Sequence, residues 1–352
     1  MGSKQLLVLA GDGIGPEVTG AALSVLDALS RTAGTAVEVK EAAIGGAAID
    51  QTGSPLPEST LQLVDKAPAV LLGAVGGPKW AGGPRPEAGL LNLRRHMKLW
   101  ANLRPFEILP GLEDRSPLKN AVGVKGLFIR ELTGGAYFGE PQERGGEGDE
   151  AWALDTMIYH RYEIERIVRL GFQLAAQSDV PLTSIDKANV LESSRLWREL
   201  VVELHQEFPE VPVVHRLVDS AAMDMVLHPQ EFQVVVTENL FGDILSDLSG
   251  GLVGSLGLLG SSSVSGVPGT PGLFEPVHGS APDIAGKGVA NPIGAMLSLA
   301  ALMRWSWQES EWAARVESGV KAVIADGLRT PDLGGNATTE DVTSGIIKNL
   351  GN

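Results

Sequence analysis

The sequence lacks cysteine entirely and contains only six histidines among its 352 residues. A chain without cysteine forms no disulfides and no thiolate zinc sites, so the plausible metal sites are those with oxygen ligands. Basic residues are also scarce: the chain has 28 Lys and Arg against 43 Asp and Glu, which gives a net charge of -15. Such a charge argues against nucleic acid or an anionic membrane surface as a partner, since both are bound through basic surface.

Long hydrophobic runs are missing as well. The longest apolar stretches, 248–260 and 292–305, are broken by Gly and Ser and fall short of the ~20 residues that cross a bilayer. Leu6–Ala10 is too short for the apolar part of a signal peptide and leads directly into a glycine-rich turn. We therefore expect no membrane segment and a cytoplasmic location.

The composition that is present indicates a globular protein with many turns. Hydrophobic residues make up 43% of the chain, and 44 glycines and 21 prolines are interleaved with Val, Ile and Leu runs. A chain of this length usually forms one large domain or two smaller ones.

The N-terminal pattern is a strand, a glycine turn and a helix. Gly11, Gly13 and Gly15 follow the apolar Leu6–Ala10. The dinucleotide fingerprint G-x-G-x-x-G would need its third glycine at position 16, which is Pro16. The pattern therefore favours a turn with positive φ angles over a Rossmann phosphate cradle.

Two aspartates stand out after the buried strand that ends at Val236. Asp243 and Asp247 are four residues apart in a predicted helix, so both carboxylates project from one face. Such like charges repel unless a cation lies between them, which suits a hard divalent metal. Capping of the helix N-terminus is the alternative role. Asp219, which follows the predicted strand 211–214, is the candidate third ligand.

Arginines and one lysine lie near other predicted strand ends. Arg94, Arg104 and Arg130 can bind the carboxylates of a substrate through their planar guanidinium groups, with ordinary surface ion pairing as the alternative. Lys187 follows the predicted strand 181–185, where partial loss of hydration would favour a role as a base.

Two segments without core faces complete the pattern. Residues 140–150 are acidic and glycine-rich and predict a protruding loop or hairpin arm. Residues 275–292 form a long loop with many backbone donors, able to wrap a cofactor, with a purely structural loop as the alternative.

Taken together, these motifs resemble the metal-dependent decarboxylating dehydrogenases of the isocitrate/isopropylmalate dehydrogenase family. The resemblance runs nearly end to end. One departure is Lys98-Leu99, where the family usually has Asp before the Leu. The segments that carry the resemblance are 11–18, 72–80, 89–94, 101–105, 129–140, 186–191, 237–248 and 274–292.

The resemblance implies a specific chemistry and assigns residues to it. Oxidation of a malate-type 2-hydroxy acid by NAD⁺ would be followed by loss of CO₂, with Lys187 as base and Tyr137 as the acid that protonates the enol. The substrate carboxylates would be bound by Arg94, Arg104 and Arg130. The ligands of Mg²⁺ or Mn²⁺ would be Asp219, Asp243 and Asp247, with Asp219 also contacting substrate.

Substrate and cofactor preference rest on fewer residues. Leu90 and Leu91 present an apolar pair where isocitrate enzymes of the family are polar, which favours isopropylmalate. Asp283 resembles the acid that accepts ribose hydroxyls in NAD-dependent members and would repel a 2′-phosphate. The implied cofactor-binding residues are Gly73, Gly76, Gly77, Glu87, His278, Gly279, Ser280, Ala281, Asp283 and Asn291.

The resemblance also implies the architecture. The expected fold is α/β and not Rossmann, with a large mixed sheet flanked by helices and two domains with a cleft. Residues 1–99 plus 251–352 would form the cofactor-side domain. Residues 100–250 would form the substrate, metal and dimerisation domain, with an arm near 136–152. Lys187 and Asp219 would come from the partner subunit of a homodimer.

Three alternatives stay open at this point. A related family member would oxidise homoisocitrate, tartrate or D-malate. A non-catalytic regulatory subunit would keep the fold and lose the chemistry. A metal-dependent phosphoryl-transfer enzyme would turn over without forming NADH.

Overall fold

The computed structural model describes residues 4–351. Within that range the chain is a mixed α/β protein with twelve β-strands, and eleven α-helices accompany them. The strands are β1 Lys4–Gly11, β2 Val37–Glu41, β3 Val70–Ala74, β4 Ala101–Glu107, β5 Lys125–Glu131, β6 Gly139–Gly145, β7 Trp152–Thr156, β8 Leu182–Asp186, β9 Val213–Leu217, β10 Val234–Thr237, β11 Gly260–Val264 and β12 Leu273–Pro276. The helices are α1 Gly15–Ala33, α2 Gly45–Thr52, α3 Glu58–Val64, α4 Pro86–His96, α5 Arg161–Ser178, α6 Glu192–His205, α7 Val218–Leu227, α8 Asn239–Val253, α9 Ile293–Trp305, α10 Ser310–Ala325 and α11 Thr339–Asn349.

The chain divides into two compact units. The first contains residues 1–99, 105–123 and 250–352, and the second contains 100–104 and 124–249. The sequence-based division placed residues 105–123 with the second unit. They group with the first because their contacts lie there: Ser116 donates a hydrogen bond to the Leu252 carbonyl, and Asp114 binds Arg329.

The first unit is built on strands in the order β2-β1-β3-β12-β11. All neighbours run parallel except β11 and β12, which pair antiparallel. Apolar side chains of β1 and β3 are buried, as a parallel strand covered on both faces requires. Helix α9 packs on β11 and β12 and also contacts α1 and α10.

Helix α1 shows how local sequence sets the element bounds in this unit. Pro16 lies in its first turn, where a missing N–H costs nothing, and Gly34 ends it in the left-handed conformation at φ 62°. Val18, Ala22, Val25, Leu26 and Leu29 are buried, as the periodicity predicts.

The second unit contains the parallel strands β5, β10, β8 and β9 in that order. Their register pairs Thr237 with both Arg130 and Ile185, and Asp186 with Leu217. The carboxyl ends of the four strands therefore lie along one edge, the place where open α/β sheets usually bind ligands. The predicted helix after residue 237 is confirmed as α8.

The acidic segment forms a hairpin, since β6 and β7 pair antiparallel as a separate two-stranded sheet. Residues 277–292 form a long loop without α-helix or β-strand. The prediction began this loop at Glu275, but Glu275 and Pro276 belong to β12, where Glu275 pairs with Ser261. Across the described range 4–351, no helix combines the length and the apolar character needed to cross a membrane.

Candidate active site

Four strand ends of the second unit carry the predicted base, one predicted substrate-binding arginine and the three predicted metal ligands. Arg130 is the penultimate residue of β5, and Lys187 follows β8 directly. Asp219 lies in the first turn of α7 after β9, and α8 after β10 carries Asp243 and Asp247. Arg130 was predicted near a strand end, and it lies within the strand, because β5 extends through Glu131.

Arg104 lies between the two carboxylates of α8. Its Nη1 is 2.8 Å from Oδ1 of Asp247 and 3.5 Å from Oδ1 of Asp243. The same nitrogen donates a hydrogen bond to Ser246 Oγ, and Nε donates to Asn102 Oδ1, each at 2.8 Å. The two aspartates therefore converge on a single cationic atom, as expected for carboxylates one helical turn apart.

Arg130 is oriented by an amide that the sequence had not singled out. Its Nε and Nη2 both donate to Oδ1 of Asn239, at 3.0 and 2.8 Å, and its Nη1 binds Asp243 Oδ1. The side-chain Nδ2 of Asn239 donates in turn to the Gly134 carbonyl. Only 3% of Arg130 is exposed, so this fork is fixed before any ligand arrives.

Tyr137 binds the second oxygen of Asp243. Its hydroxyl donates to Oδ2, and its ring lies against the Arg130 guanidinium. Burial raises the pKa of Tyr137, and the Asp243 carboxylate raises it further, so the phenol stays protonated at neutral pH. Burial also raises the pKa of Asp247, an effect that Arg104 opposes.

Lys187 and Asp219 form a separate ion pair, with Nζ 2.5 Å from Oδ1. The hydrogen bond from Lys187 lowers the pKa of the exposed Asp219 carboxyl. Within the described part of one chain, no three Asp, Glu or His side chains converge closely enough to hold a metal. The structure thus brings Asp243 and Asp247 together and places Asp219 with Lys187.

A buried acid and a buried phenol support the start of α8. Glu238 accepts hydrogen bonds from the backbone N–H groups of Leu240 and Phe241, and the Tyr159 hydroxyl donates to it at 3.0 Å. Tyr159 also accepts the Asn239 N–H at 2.9 Å. Burial raises the pKa of Glu238 and raises that of Tyr159 well above its usual range. The only sequence signal for this support was the polar pair at 238–239 directly after a buried strand.

The remaining predicted substrate residues lie in the first unit, on α4. Arg94 is buried and its Nη2 binds Glu275 Oε1. Leu90 and Leu91 are half-buried, so part of each apolar side chain is open to a ligand.

The predicted cofactor residues also lie in the first unit, in two segments. Gly76 and Gly77 have φ angles of 115° and 159°, and the Glu87 carboxylate approaches Gly76 so closely that a Cβ there would lie 2.7 Å from Oε1. Gly73 is packed against the backbone around the turn at residues 11–15, because a Cβ on Gly73 would lie 2.4 Å from the Ala10 carbonyl oxygen.

The second segment is the long loop 277–292. A Cβ on Gly279 would meet open space, and Asp283 is exposed. His278 Nε2 is buried without a hydrogen-bond partner in the described chain, and burial lowers its pKa. Asn291 is buried and binds the Ile293 N–H and Asp332, which fixes the end of the loop. Ser280 and Ala281 directly precede the turn at residues 282–286 of this loop.

Comparison with known proteins places the chain in a family. The family model described as isocitrate/isopropylmalate dehydrogenase matches residues 5–347. A 3-isopropylmalate dehydrogenase of Halalkalibacterium halodurans is 51% identical over 98% of this chain and 97% of its own length. A 3-isopropylmalate dehydrogenase of Bacillus subtilis is also 51% identical, with the same coverage of both chains.

Solved structures show the same likeness. An isocitrate dehydrogenase from Methylococcus capsulatus superimposes with a TM-score of 0.89 at 34% identity, over 99% of both chains. A β-decarboxylating dehydrogenase from Thermococcus kodakarensis gives a TM-score of 0.80 at 36% identity, over 99% of this chain and 96% of its own.

Proposed function

The chain belongs to the isocitrate/isopropylmalate dehydrogenase family, and from that membership we propose that it catalyses NAD-dependent oxidative decarboxylation of 3-isopropylmalate. The products are 4-methyl-2-oxopentanoate and CO₂, a step of leucine biosynthesis. The observation that carries the proposal is the cluster in which Arg104 and Arg130 meet Asp243, Asp247 and Tyr137.

The carboxylates of α8 fit a divalent cation. Asp243 and Asp247 already share the cationic Nη1 of Arg104, so their oxygens converge on one position that favours positive charge. Carboxylate oxygens are the ligands that Mg²⁺ and Mn²⁺ prefer. We assign Asp243 and Asp247 as ligands and Asp219 as the third, supplied by a partner subunit.

The arginines and Tyr137 suit a malate-type substrate. Arg104 and Arg130 present guanidinium groups that bind carboxylates in a fork, and Arg94 is proposed as the third. Lys187 takes the proton of the substrate hydroxyl, and Asp219 binds the resulting ammonium group. When bound, the cation would polarise the oxygen at C2, and NAD⁺ would serve as the acceptor of the hydride from that carbon. After CO₂ leaves, Tyr137 would donate its hydroxyl proton to the carbon of the enolate, which gives the ketone, and the phenolate would recover a proton from solvent.

Three features support NAD⁺ as the cofactor. The backbone at Gly76 and Gly279 allows close approach of a ligand, and the unpartnered His278 Nε2 offers a polar contact. The exposed Asp283 carboxylate can accept ribose hydroxyls and would repel the 2′-phosphate of NADP⁺.

Exposed apolar side chains on α7 and α8 support a homodimer. Met223, Val226 and Leu227 of α7 and Ile244 of α8 are each about half exposed or more. Large apolar side chains exposed on the helices that carry Asp219 and Asp243 are typical of a subunit interface. We propose that two copies share their active sites through these helices.

A substrate panel tests the proposal. NADH formation is measured with 3-isopropylmalate, isocitrate, homoisocitrate, tartrate and D-malate, with Mn²⁺ and then with a chelator. We expect 3-isopropylmalate to be used best, NAD⁺ to be preferred over NADP⁺, and turnover to stop when the metal is removed.

Matched variants sharpen the test. Asp243→Asn keeps the shape of the side chain and removes a ligand charge, so turnover should be lost while the far-UV circular dichroism stays unchanged. Asp27→Asn removes an exposed carboxylate of α1 and should behave like wild type. Preference for a tricarboxylate substrate, or full activity of Asp243→Asn, would reject the assignment.

A further inference from the structure

The glycine turn, defined as residues 11–15 between β1 and α1, contacts the end of β3. The Asp12 N–H donates to the Ala74 carbonyl at 2.7 Å. The backbones approach so closely that a Cβ on Gly11 would lie 1.9 Å from the Ala74 oxygen, and Gly11 has a φ of 72°. Gly11 is thus required by the close packing of the two backbones. The turn also lies directly beside the Gly76–Gly77 segment.

The Asp12 carboxylate fixes that segment. It is buried, with 5% exposed, and its oxygens accept three backbone hydrogen bonds. Oδ2 accepts from Gly76 at 2.9 Å and from Gly46 at 2.8 Å, while Oδ1 accepts from Ala47 at 2.7 Å. Charge-assisted bonds of this kind are stronger than neutral ones, so Asp12 holds the Gly76 amide in place and ties it to the start of α2.

The other side of the glycine turn holds the loop 277–292. The Ile14 N–H donates to the Ser280 carbonyl at 2.8 Å, and a Cβ on Gly13 would lie 1.9 Å from that oxygen. Ala281, the next residue, has a φ of 38°, in the left-handed region that costs a non-glycine residue free energy. The contact with the turn therefore helps hold the loop in a strained conformation.

Glu17, in the first turn of α1, fastens the later part of the same loop. Its Oε1 accepts from the Ala290 N–H at 3.0 Å and from the Thr339 hydroxyl. Thr339 also bonds this segment through its backbone, since its N–H donates to the Gly288 carbonyl at 2.9 Å. The segment that leads to Asn291 is thereby fixed from two sides.

We infer that Asp12 and Glu17 are positioning residues for the dinucleotide cofactor: Asp12 sets the Gly76–Gly77 backbone, and Glu17 sets the loop between Gly288 and Asn291. The turn that resembles a phosphate cradle is instead a brace that holds two cofactor segments of the first unit. The inference rests on the proposed use of NAD⁺, and neither side chain touches the cofactor.

Glu17 provides the sharper test, because Glu17→Gln keeps an oxygen that can accept both hydrogen bonds and Glu17→Ala keeps none. NADH binding is measured by fluorescence titration, and the KM values for NAD⁺ and 3-isopropylmalate are measured separately. Loss of these bonds in Glu17→Ala should weaken NADH binding about tenfold. Glu17→Gln should stay within about twofold of wild type, the KM for 3-isopropylmalate should not change, and Asp27→Asn serves as the control.

Asp12→Asn is the second variant, because no orientation of its amide accepts all three backbone hydrogen bonds. We expect the same selective loss of NADH affinity. Thr339→Val, which removes only the hydroxyl between Glu17 and the loop, replaces Glu17→Ala if that variant proves unfolded by circular dichroism.

The outcomes separate this inference from the proposed function. Wild-type NADH affinity in folded Glu17→Ala or Thr339→Val, and in Asp12→Asn, overturns the positioning role and leaves the proposed reaction intact. Equal loss in Glu17→Ala and Glu17→Gln, or parallel changes in both KM values, also overturns it. A wild-type protein that binds no NADH overturns the proposed cofactor and this inference together.

Discussion

Tyr137 donates a hydrogen bond from its hydroxyl to Oδ2 of Asp243. The proposed proton donor and a proposed metal ligand are therefore joined directly. A cation that takes up the charge of Asp243 also removes one of the causes that raise the pKa of Tyr137, so the two roles are electrostatically coupled.

This coupling predicts a lower pKa for Tyr137 in Asp243→Asn. The neighbouring anion favours the neutral phenol, so removing it favours phenolate and shifts the pKa down. Burial, the largest cause of the raised pKa, remains in the variant. Spectrophotometric titration of tyrosinate measures the shift, with Tyr137→Phe to identify the signal. An unchanged or raised pKa would contradict the coupling.

Alanine at two glycines of α8 should have different effects, one on substrate binding and the other on stability. A Cβ at Gly242 would lie 2.7 Å from Cγ of Arg130, so Gly242→Ala must displace that arginine and should raise the KM for the 2-hydroxy acid by about tenfold. Gly251 faces open space, and Gly251→Ala should raise the free energy of unfolding by about 0.5–1 kcal/mol through helix propensity. Steady-state kinetics and urea unfolding of both variants decide. A wild-type KM in Gly242→Ala would show that Arg130 tolerates the shift.

Tyr159→Phe should destabilise the protein by about 1–3 kcal/mol at neutral pH, because it leaves the buried Asn239 N–H without its acceptor and removes one of the three hydrogen bonds that Glu238 accepts. The difference in free energy of unfolding between wild type and Tyr159→Phe should become smaller above about pH 10. The pKa of Tyr159 is raised in the folded state, first by burial, so the unfolded chain ionises first and wild-type stability falls as pH rises, while the variant has no such group.

Urea unfolding of wild type and Tyr159→Phe at neutral and alkaline pH measures this difference. Tyr162→Phe is the matched control, because that ring is 59% exposed. A difference that stays constant with pH would mean that Tyr159 does not carry the linkage.

Leu90→Glu should reduce kcat/KM for 3-isopropylmalate by about tenfold or more, since a carboxylate would meet the substrate's apolar branch and lose hydration without gaining a partner. Parallel assays with isocitrate show whether the change is one of preference. Val39→Glu places the same charge on an exposed strand position and should leave the kinetics unchanged. Unaltered use of 3-isopropylmalate by Leu90→Glu would move the specificity pocket elsewhere.

Local patterns predicted a large part of the fold. The strand–turn–helix at Leu6–Leu29 and the strand and helix around Asp243 are confirmed, because both depend on the apolar period of a single segment. The long loop 277–292 follows equally from glycine, proline and polar residues over one stretch. Such signals are carried by neighbours in the chain.

Long-range partners could not be predicted in this way. Asn239 orients Arg130 across 109 positions, and Arg94 binds Glu275 across 181. Asp12 reaches Gly76 across 64. Each pairing depends on strand order and on the close approach of backbones, which many weak contacts decide together.

The sequence by itself determined the family and the kinds of chemical group available: two carboxylates one helical turn apart, arginines near strand ends, and a glycine turn unsuited to a Rossmann site. Only the tertiary structure decided which charges meet, because the parallel register of β5, β10, β8 and β9 aligns their carboxyl ends. It also decided what the glycine turn contacts, since the backbone approach of Gly11 to Ala74 and of Gly13 to Ser280 is a property of packing.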